Sequence, residues 1–252
     1  MLRIVFATVA ALAIAAPAYA AEGGPELPKL KWSFNGAFGT FDRGEVQRGF
    51  QVYKEVCAAC HSMHYVSYRN LADIGFTEAE VKAIAAANEV TAGPNDDGEM
   101  FQRPALPSDR FKSPYANSKA AAAANNGKAP PDLSLMAKAR NGGADYIHAL
   151  LTGYEKAPAD VQVPEGGNYN KYFPGHIIAM PQPIASEGQV SYEDGTKPTV
   201  DQMSRDVSAF LMWAAEPKLE ARHAMGLKVI IFLVIMSFLF YGVKRRVWAD
   251  LH

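Results

Sequence analysis

The sequence predicts an all-α domain with long loops, followed by one C-terminal transmembrane helix. Apolar residues recur at helical spacing after several capping signals, and no segment is a confident strand, although residues 161–198 could hold a short hairpin. Proline and glycine are frequent in residues 91–131 and 153–198, which is typical of long irregular segments. An uncharged apolar stretch, residues 229–243, ends directly before basic residues.

The N-terminal segment has the pattern of a secretory signal. Arg3 precedes an apolar run that reaches Ala16, and Ala18 and Ala20 form a small-x-small cleavage motif. We therefore expect residues 1–20 to be a cleaved signal peptide. The exported domain would then comprise residues 21–223.

Two capping signals predict the first helices of this domain. Asp42 and Glu45 resemble a capping box, and Thr77 and Glu80 repeat the pattern. Each signal is followed by apolar residues at helical spacing, so each helix should bury one face. The predicted inward residues are Val46, Phe50, Tyr53 and Cys57 in the first helix, and Val81, Ile84 and Ala85 in the second.

Later helices are predicted from the same kinds of signal. One helix should cover residues 132–140 and another residues 144–151, the latter ended by Gly153. The alanine run 120–124 also favours helix. Thr199 should begin the last helix of the domain, which Pro217 ends. The predicted buried face of this last helix consists of Val200, Met203, Val207, Phe210 and Ala214.

The apolar stretch near the C-terminus is long enough to cross a bilayer. Residues 224–243 give about 20 helical residues, or about 30 Å at ~1.5 Å per residue. Lys228 can extend its ammonium group towards the interface. The basic cluster Lys244, Arg245 and Arg246 predicts that the tail, residues 244–252, is cytoplasmic. The alternative is a buried core helix.

Charge composition limits the classes of partner. The chain has 25 basic and 26 acidic residues, for a formal net charge of −1. This balance gives no electrostatic support for nucleic-acid binding. Membrane lipid is an expected partner because of the apolar C-terminal segment.

The run C-A-A-C-H at residues 57–61 is the most informative motif. Two thiols on one turn, Cys57 and Cys60, can form thioethers with the two vinyl groups of one haem, and His61 then lies under the iron. The alternatives are a zinc site, a redox dithiol and a structural disulfide. Zinc would require further paired ligands, but the chain has only two cysteines. A thioredoxin-like dithiol would require a preceding strand.

The identity of the sixth iron ligand decides between electron transfer and catalysis. Spacing favours Met180, which lies before Pro181 in a proline-rich loop, with His176 as runner-up. Met136 and Met203 have the spacing of core residues. Met63 and His64 are too close to His61 along the chain to reach the opposite face of the haem. The full set of candidates is Met63, Met100, Met136, Met180, Met203, Met212, His64, His148, His176 and His223.

From about residue 30 to its end, the chain resembles the cytochrome c1 family, with motifs in the family's order. They are C-A-A-C-H-S-M over residues 57–63, followed by Tyr65, Tyr68 and Arg69, then G-P-N-D-D-G-E-M-F over 93–101, P-P-D-L-S over 130–134 and L-T-G-Y over 151–154. Y-F-P-G at 172–175, W-A-A-E-P at 213–217 and M-G-L-K at 225–228 complete the set.

The resemblance implies specific site residues. Cys57 and Cys60 would hold one covalent haem c, and His61 and Met180 would be its axial ligands. Arg140 would contact a haem propionate, with Tyr146 nearby. A cation at a helix C-terminus is an alternative reading of Arg140. The family's extra cysteine pair in some bacteria is absent here, and His64 stands where other members can carry an acid.

The resemblance also implies the function. The chain would be an electron-transfer subunit of the ubiquinol–cytochrome c oxidoreductase (bc1) complex in a respiratory chain, with no catalytic residue of its own. It would pass electrons from the Rieske iron–sulfur protein to a soluble cytochrome c, beside cytochrome b in the bacterial inner membrane, with the haem domain in the periplasm. The alternatives are a free-standing haem enzyme with an open sixth site, and a tethered cytochrome that serves an oxidase or photosynthetic centre.

A cluster of acidic residues suggests a docking face for a basic partner. Six acids and one lysine lie between residues 77 and 100, and such a cluster would steer association at low salt. A solvated surface without a partner is the alternative. The acids are Glu78, Glu80, Glu89, Asp96, Asp97 and Glu99, and the lysine is Lys82.

Overall fold

The computed structural model describes residues 25–249. The predicted signal peptide lies outside these residues. The fold is mostly helical, and short 3₁₀ helices cover Cys57–Ala59 and Tyr68–Ile74. The α-helices are α1 (Arg43–Glu55), α2 (Glu78–Ala86), α3 (Ser118–Ala124), α4 (Met136–Ala139), α5 (Ala144–Thr152), α6 (Val200–Ala215) and α7 (Leu219–Val247).

Two small antiparallel sheets qualify the all-α prediction. Strands β1 (Glu89–Ala92) and β2 (Phe101–Pro104) form one pair, and β3 (Asn168–Tyr169) and β4 (Ile177–Ile178) form the other. The second pair lies within residues 161–198, the segment for which the sequence allows a short hairpin. The first pair was not predicted, because neither strand has a fully buried face that would produce alternation in the sequence.

Helices α1 and α6 form the centre of the core. The predicted faces are buried: Val46, Phe50 and Tyr53 on α1 pack with Met203, Val207 and Phe210 on α6. Contact between the two backbones is close at Gly49, where an added Cβ would lie 2.0 Å from the Asp206 carbonyl oxygen. A glycine is therefore required at this crossing.

Polar side chains reinforce the contact between α1 and α6. The Arg48 guanidinium donates to the fully buried carboxylate of Asp206 at 2.9 Å. Arg205 Nε donates to Glu45 at 2.7 Å. Asp42 caps α1 by accepting from the Glu45 amide at 3.1 Å, as predicted, but Glu45 binds Arg205 instead of completing a capping box.

Three further predicted helix ends agree with the structure, and one predicted helix is much shorter than expected. Thr77 caps α2 in a full capping box, and Thr199 caps α6. Helix α5 ends at Gly153, as expected. The predicted helix over residues 132–140 is only the single turn α4, because the side chain of Asp132 binds other groups instead of capping a helix.

Helix α7 has 29 residues, a mean hydropathy of 2.3 in its most apolar window and no burial of that window. Its length and composition are sufficient to cross a membrane. The exposed surface argues against the alternative of a buried core helix. Helix α7 begins at Leu219, before the predicted start of the anchor at residue 224. Its first turn contacts the domain: the Glu220 carboxylate accepts from the Phe41 amide and from Arg43, both at 2.7 Å.

We predict that Gly49→Ala lowers the free energy of unfolding by about 1–3 kcal/mol, because the methyl group forces α1 away from α6. Urea-induced unfolding of the full chain in detergent, followed by circular dichroism, measures the change. Gly44→Ala is the control in the same helix, since its Cβ would meet only flexible side-chain atoms at 3.3 Å or more. Equal stability of the two variants would contradict the proposed crossing.

Candidate haem site

The two cysteines and the histidine lie on one tight turn directly after α1. The amides of Cys60 and His61 both donate to the Cys57 carbonyl, at 3.1 and 2.9 Å. These two hydrogen bonds close a tight turn that holds Cys60 and His61 near Cys57. Cys57 packs against the core, Cys60 is exposed, and both thiols are free.

The electrostatics of Cys57 differ from those of a redox dithiol. Burial, with a smaller contribution from Cys60, raises the pKa of the Cys57 thiol to about 12. Reactive cysteines have lowered pKa values. Because α1 precedes the motif, the strand of a thioredoxin-like site is also missing here. Within residues 25–249, no group of three or more His, Cys, Asp or Glu side chains could hold a metal ion, so the zinc hypothesis gains no support.

The His61 imidazole is oriented by a backbone carbonyl. Its Nδ1 lies 2.7 Å from the Pro131 carbonyl oxygen, so Nδ1–H donates and Nε2 is left as the acceptor. Metal-binding histidines are commonly held in this way. Burial lowers the pKa of His61 despite the opposing effect of Pro131, and the neutral ring is the form that binds metal.

The loop that carries Met180 is tied to the end of α5. The Tyr154 hydroxyl donates to the Met180 carbonyl at 3.1 Å. Tyr154 also pairs with Asn170 through a β-bridge, and the buried Asn170 amide donates to the Leu150 carbonyl at 2.7 Å. Tyr154 is the last residue of the L-T-G-Y motif, and no pattern in the sequence indicates its contact with Met180.

Several other ligand candidates have partners of their own. Met63 and Met203 are fully buried in the core. His148 contacts Asp201 at 2.9 Å, and His223 contacts the Gly39 carbonyl at 3.1 Å. The runner-up His176 is exposed and stacks on Tyr169 with ring centroids 5.7 Å apart.

The remaining methionines differ in their burial. Met136 and Met212 are partly buried against the core, whereas Met100 is exposed. Met180 is itself partly buried. Its assignment as the sixth ligand remains a prediction.

The side chains of Arg140 and Tyr146 interact with each other. Arg140 is exposed, and its Nη1 donates to the Ala139 carbonyl at 3.1 Å. This contact with the end of α4 matches the alternative reading, a cation at a helix C-terminus. Burial raises the pKa of Tyr146, and the neighbouring Arg140 opposes that rise. A contact with a haem propionate remains a prediction for both residues.

Two of the acids between residues 77 and 100 have local roles. Glu78 pairs with Lys82 at 2.7 Å, and Glu80 closes the capping box of α2. Asp96, Asp97 and Glu99 are exposed in the loop between β1 and β2. These three acids and Glu89, which is exposed on β1, are therefore accessible to a partner.

A turn with two cysteines and an oriented histidine, on a helical domain that ends in one apolar helix, is typical of anchored c-type cytochromes. Comparison with known proteins identifies the family. The profile of the Cytochrome C1 family matches residues 32–251, and the chain belongs to this family. The prediction made from the motifs is thus confirmed.

Individual relatives support this membership. The chain is 48% identical to "Cytochrome c1" of Rhodospirillum rubrum over 98% of its own length and 97% of the relative. It is 51% identical to "Cytochrome b/c1" of Bradyrhizobium diazoefficiens over 93% of its length, but spans only 37% of that protein. It is 48% identical to "Cytochrome c1, heme protein, mitochondrial" of Saccharomyces cerevisiae, over 92% of its own length and 75% of the relative.

We predict that Tyr154→Phe loosens the Met180 loop, because the Met180 carbonyl loses its donor. Loss of such a bond costs about 1 kcal/mol, which corresponds to about fivefold faster local opening. Hydrogen–deuterium exchange of residues 176–182 measures the change. Tyr115→Phe is the control, since its hydroxyl accepts from Asn125 instead. Unchanged exchange in Tyr154→Phe would refute this role.

Proposed function

We propose that this chain is the electron-transfer subunit of a ubiquinol–cytochrome c oxidoreductase, the bc1 complex. It takes single electrons from the Rieske iron–sulfur protein and passes them to a soluble cytochrome c. The observation that supports this most strongly is the oriented His61 ring beside two free thiols on one turn. The complex is inferred from relatives such as "Cytochrome b-c1 complex catalytic subunit, mitochondrial" of Candida albicans.

The proposed cofactor is one haem c, attached through thioethers to Cys57 and Cys60 and ligated by His61 and Met180. When bound, it supplies a one-electron redox couple. The residues fit this role, because the thiols are unpaired and the His61 ring presents a free Nε2. A neutral thioether from Met180 would favour the reduced iron and thus a high potential. Arg140 and Tyr146 are the proposed neighbours of a propionate.

The chain's own contribution is rigid positioning. No bond to a substrate forms during electron transfer, so no catalytic residue is proposed, and turnover belongs to the assembled complex. The turn after α1 fixes the thiols and His61 relative to one another. Pro131 fixes the tautomer of the His61 ring, and Tyr154 restrains the loop that contains Met180, the other residue that would hold the iron.

The proposed topology follows from the apolar helix and its basic end. Residues 1–20 would be removed on export, and residues 21–223 would form the periplasmic haem domain. Residues 224–243 would anchor the chain in membrane lipid of the inner membrane, beside cytochrome b. The tail, residues 244–252, would remain cytoplasmic because of Lys244, Arg245 and Arg246.

Purification in mild detergent tests the assignment. We expect cytochrome b and an iron–sulfur protein to co-purify with the chain, and we expect its haem to resist extraction with acidic acetone. Carbon monoxide should not bind promptly to a six-coordinate iron. Prompt binding would favour the alternative, a haem enzyme with an open sixth site, and extractable haem would refute thioether attachment.

We predict that Met180→Leu retains covalent haem but lowers its midpoint potential, because the neutral thioether ligand is lost. Potentiometric titration of the full chain measures the change. Met100→Leu is the control, since Met100 is 61% exposed in the loop between β1 and β2. A normal potential in Met180→Leu would assign the sixth ligand to another residue.

The exposed acids give a second prediction. A triple variant, Asp96→Asn, Asp97→Asn and Glu99→Gln, should lower the second-order rate of oxidation by a basic cytochrome c by about tenfold at low ionic strength. Stopped-flow kinetics over a range of salt concentrations measures this rate. Glu155→Gln, Asp160→Asn and Glu187→Gln together form a charge-matched control on other exposed loops. Equal rates in the two triple variants would exclude this docking face.

A further inference from the structure

We propose that Asp132 is a positioning residue that holds the Pro131 carbonyl against His61. Its carboxylate clamps residues 61–65 to residues 131–134, and His64 completes the clamp. The inference rests on the proposed function, because the position of His61 matters for electron transfer only if this residue binds the iron.

The two segments lie side by side and are joined by hydrogen bonds that main-chain amides donate. The Leu133 amide donates to the Ser62 carbonyl at 2.9 Å. The Tyr65 amide donates to the Ser134 hydroxyl at 3.0 Å. The contact between His61 and Pro131 lies at one end of this pairing. The orientation of the imidazole therefore depends on how firmly the segments are held together.

The Asp132 carboxylate bridges both segments. Its Oδ2 accepts from the Ser62 hydroxyl at 2.9 Å and from the His64 amide at 2.8 Å. Its Oδ1 accepts from the Ser134 amide at 2.8 Å within its own segment. Partial burial would raise the pKa of Asp132, but hydrogen bonds from Ser134 and His64 outweigh burial and hold the pKa below its usual value. The group is thus a carboxylate, and its hydrogen bonds are charge-assisted.

The covalent structure transmits this restraint to the carbonyl. The Pro131 C=O and the Asp132 N–H belong to one planar peptide unit. The proline ring also fixes φ of Pro131, so little freedom remains at that residue. Any rotation at Asp132 consequently changes the direction in which the Pro131 oxygen faces His61.

His64 extends the clamp to a third segment. Its Nδ1 donates to Asp132 Oδ2 at 2.6 Å, which leaves Nε2 to accept from the Ser113 hydroxyl at 3.2 Å. Arg110, in the same third segment as Ser113, donates to the Tyr65 carbonyl at 2.7 Å and so gives a second contact between that segment and residues 61–65. The His64 side chain is 60% exposed, so its removal should not disturb the core.

Loosening the clamp should change the electronic character of His61. A hydrogen bond from Nδ1–H increases the basicity of a ligating imidazole, and a more basic ligand favours oxidised iron. A weaker bond to Pro131 should therefore raise the midpoint potential. The same weakening should expose the Nδ1 proton to solvent more often.

The test uses the full chain in detergent micelles, labelled with ¹⁵N-histidine and reduced. We expect Asp132→Asn to accelerate exchange of the His61 Nδ1 proton by about tenfold or more, because a bond to a charged group is lost. The midpoint potential should shift upward. Asp194→Asn is the control for loss of a carboxylate elsewhere in the domain: Asp194, like Asp132, accepts from a side chain, Arg48 at 2.7 Å, and from an amide, Thr196 at 2.9 Å.

A second pair of variants keeps the test decisive if Asp132→Asn fails to assemble. His64→Ala should also accelerate exchange of the His61 Nδ1 proton and raise the midpoint potential. Both changes should be smaller than in Asp132→Asn, since the amide of residue 64 still donates to Asp132. His64→Asn should restore the wild-type exchange rate and midpoint potential, because the side-chain amide of asparagine can replace Nδ1–H as the donor to Asp132. A variant that is merely destabilised would not be rescued in this way.

The outcomes distinguish failure of the clamp from failure of the proposed function. If Asp132→Asn and His64→Ala both keep the wild-type exchange rate of the His61 Nδ1 proton and the wild-type midpoint potential, with haem still ligated by His61, the clamp is overturned. The proposed function is then left intact. A wild-type chain without a haem-ligated His61 would overturn both.

Discussion

The site depends on the close packing of α1 against α6. The backbones approach at Gly49, where the Asp206 carbonyl leaves no space for a side chain. Phe50 and Tyr53 both pack on Phe210, with ring centroids 5.7 and 5.6 Å apart. Since the two-cysteine motif follows the last turn of α1 directly, this crossing sets the place where the thiols meet the rest of the domain.

A second set of contacts completes the site from distant parts of the chain. Pro131, 70 residues beyond His61, supplies the acceptor for the ring, and Tyr154 holds the loop that contains Met180. The surrounding segments are irregular. Their positions are therefore determined mainly by side-chain and carbonyl hydrogen bonds, such as those of Asp132 and Asn170, instead of helix packing. Long loops of this kind normally have a functional reason.

The sequence was sufficient where a pattern is local. The caps at Thr77 and Thr199, the buried face of α6 and the apolar helix α7 could all be predicted from neighbouring residues. It was insufficient where the partner is distant. A proline carbonyl leaves no periodic signal, Asp132 has the sequence of a helix cap but binds Ser62 and His64, and the β1–β2 hairpin has too little burial to show alternation.

The contacts of the first turn of α7 affect how the domain is attached to the anchor. Glu220 joins this helix to the Phe41 amide and the Arg43 guanidinium, and Arg43 belongs to α1. With α7 embedded in a bilayer as proposed, these contacts would couple the orientation of the domain to that of the membrane helix. A tilt of the helix in the lipid would then be passed on to α1 and to the two-cysteine turn that follows it.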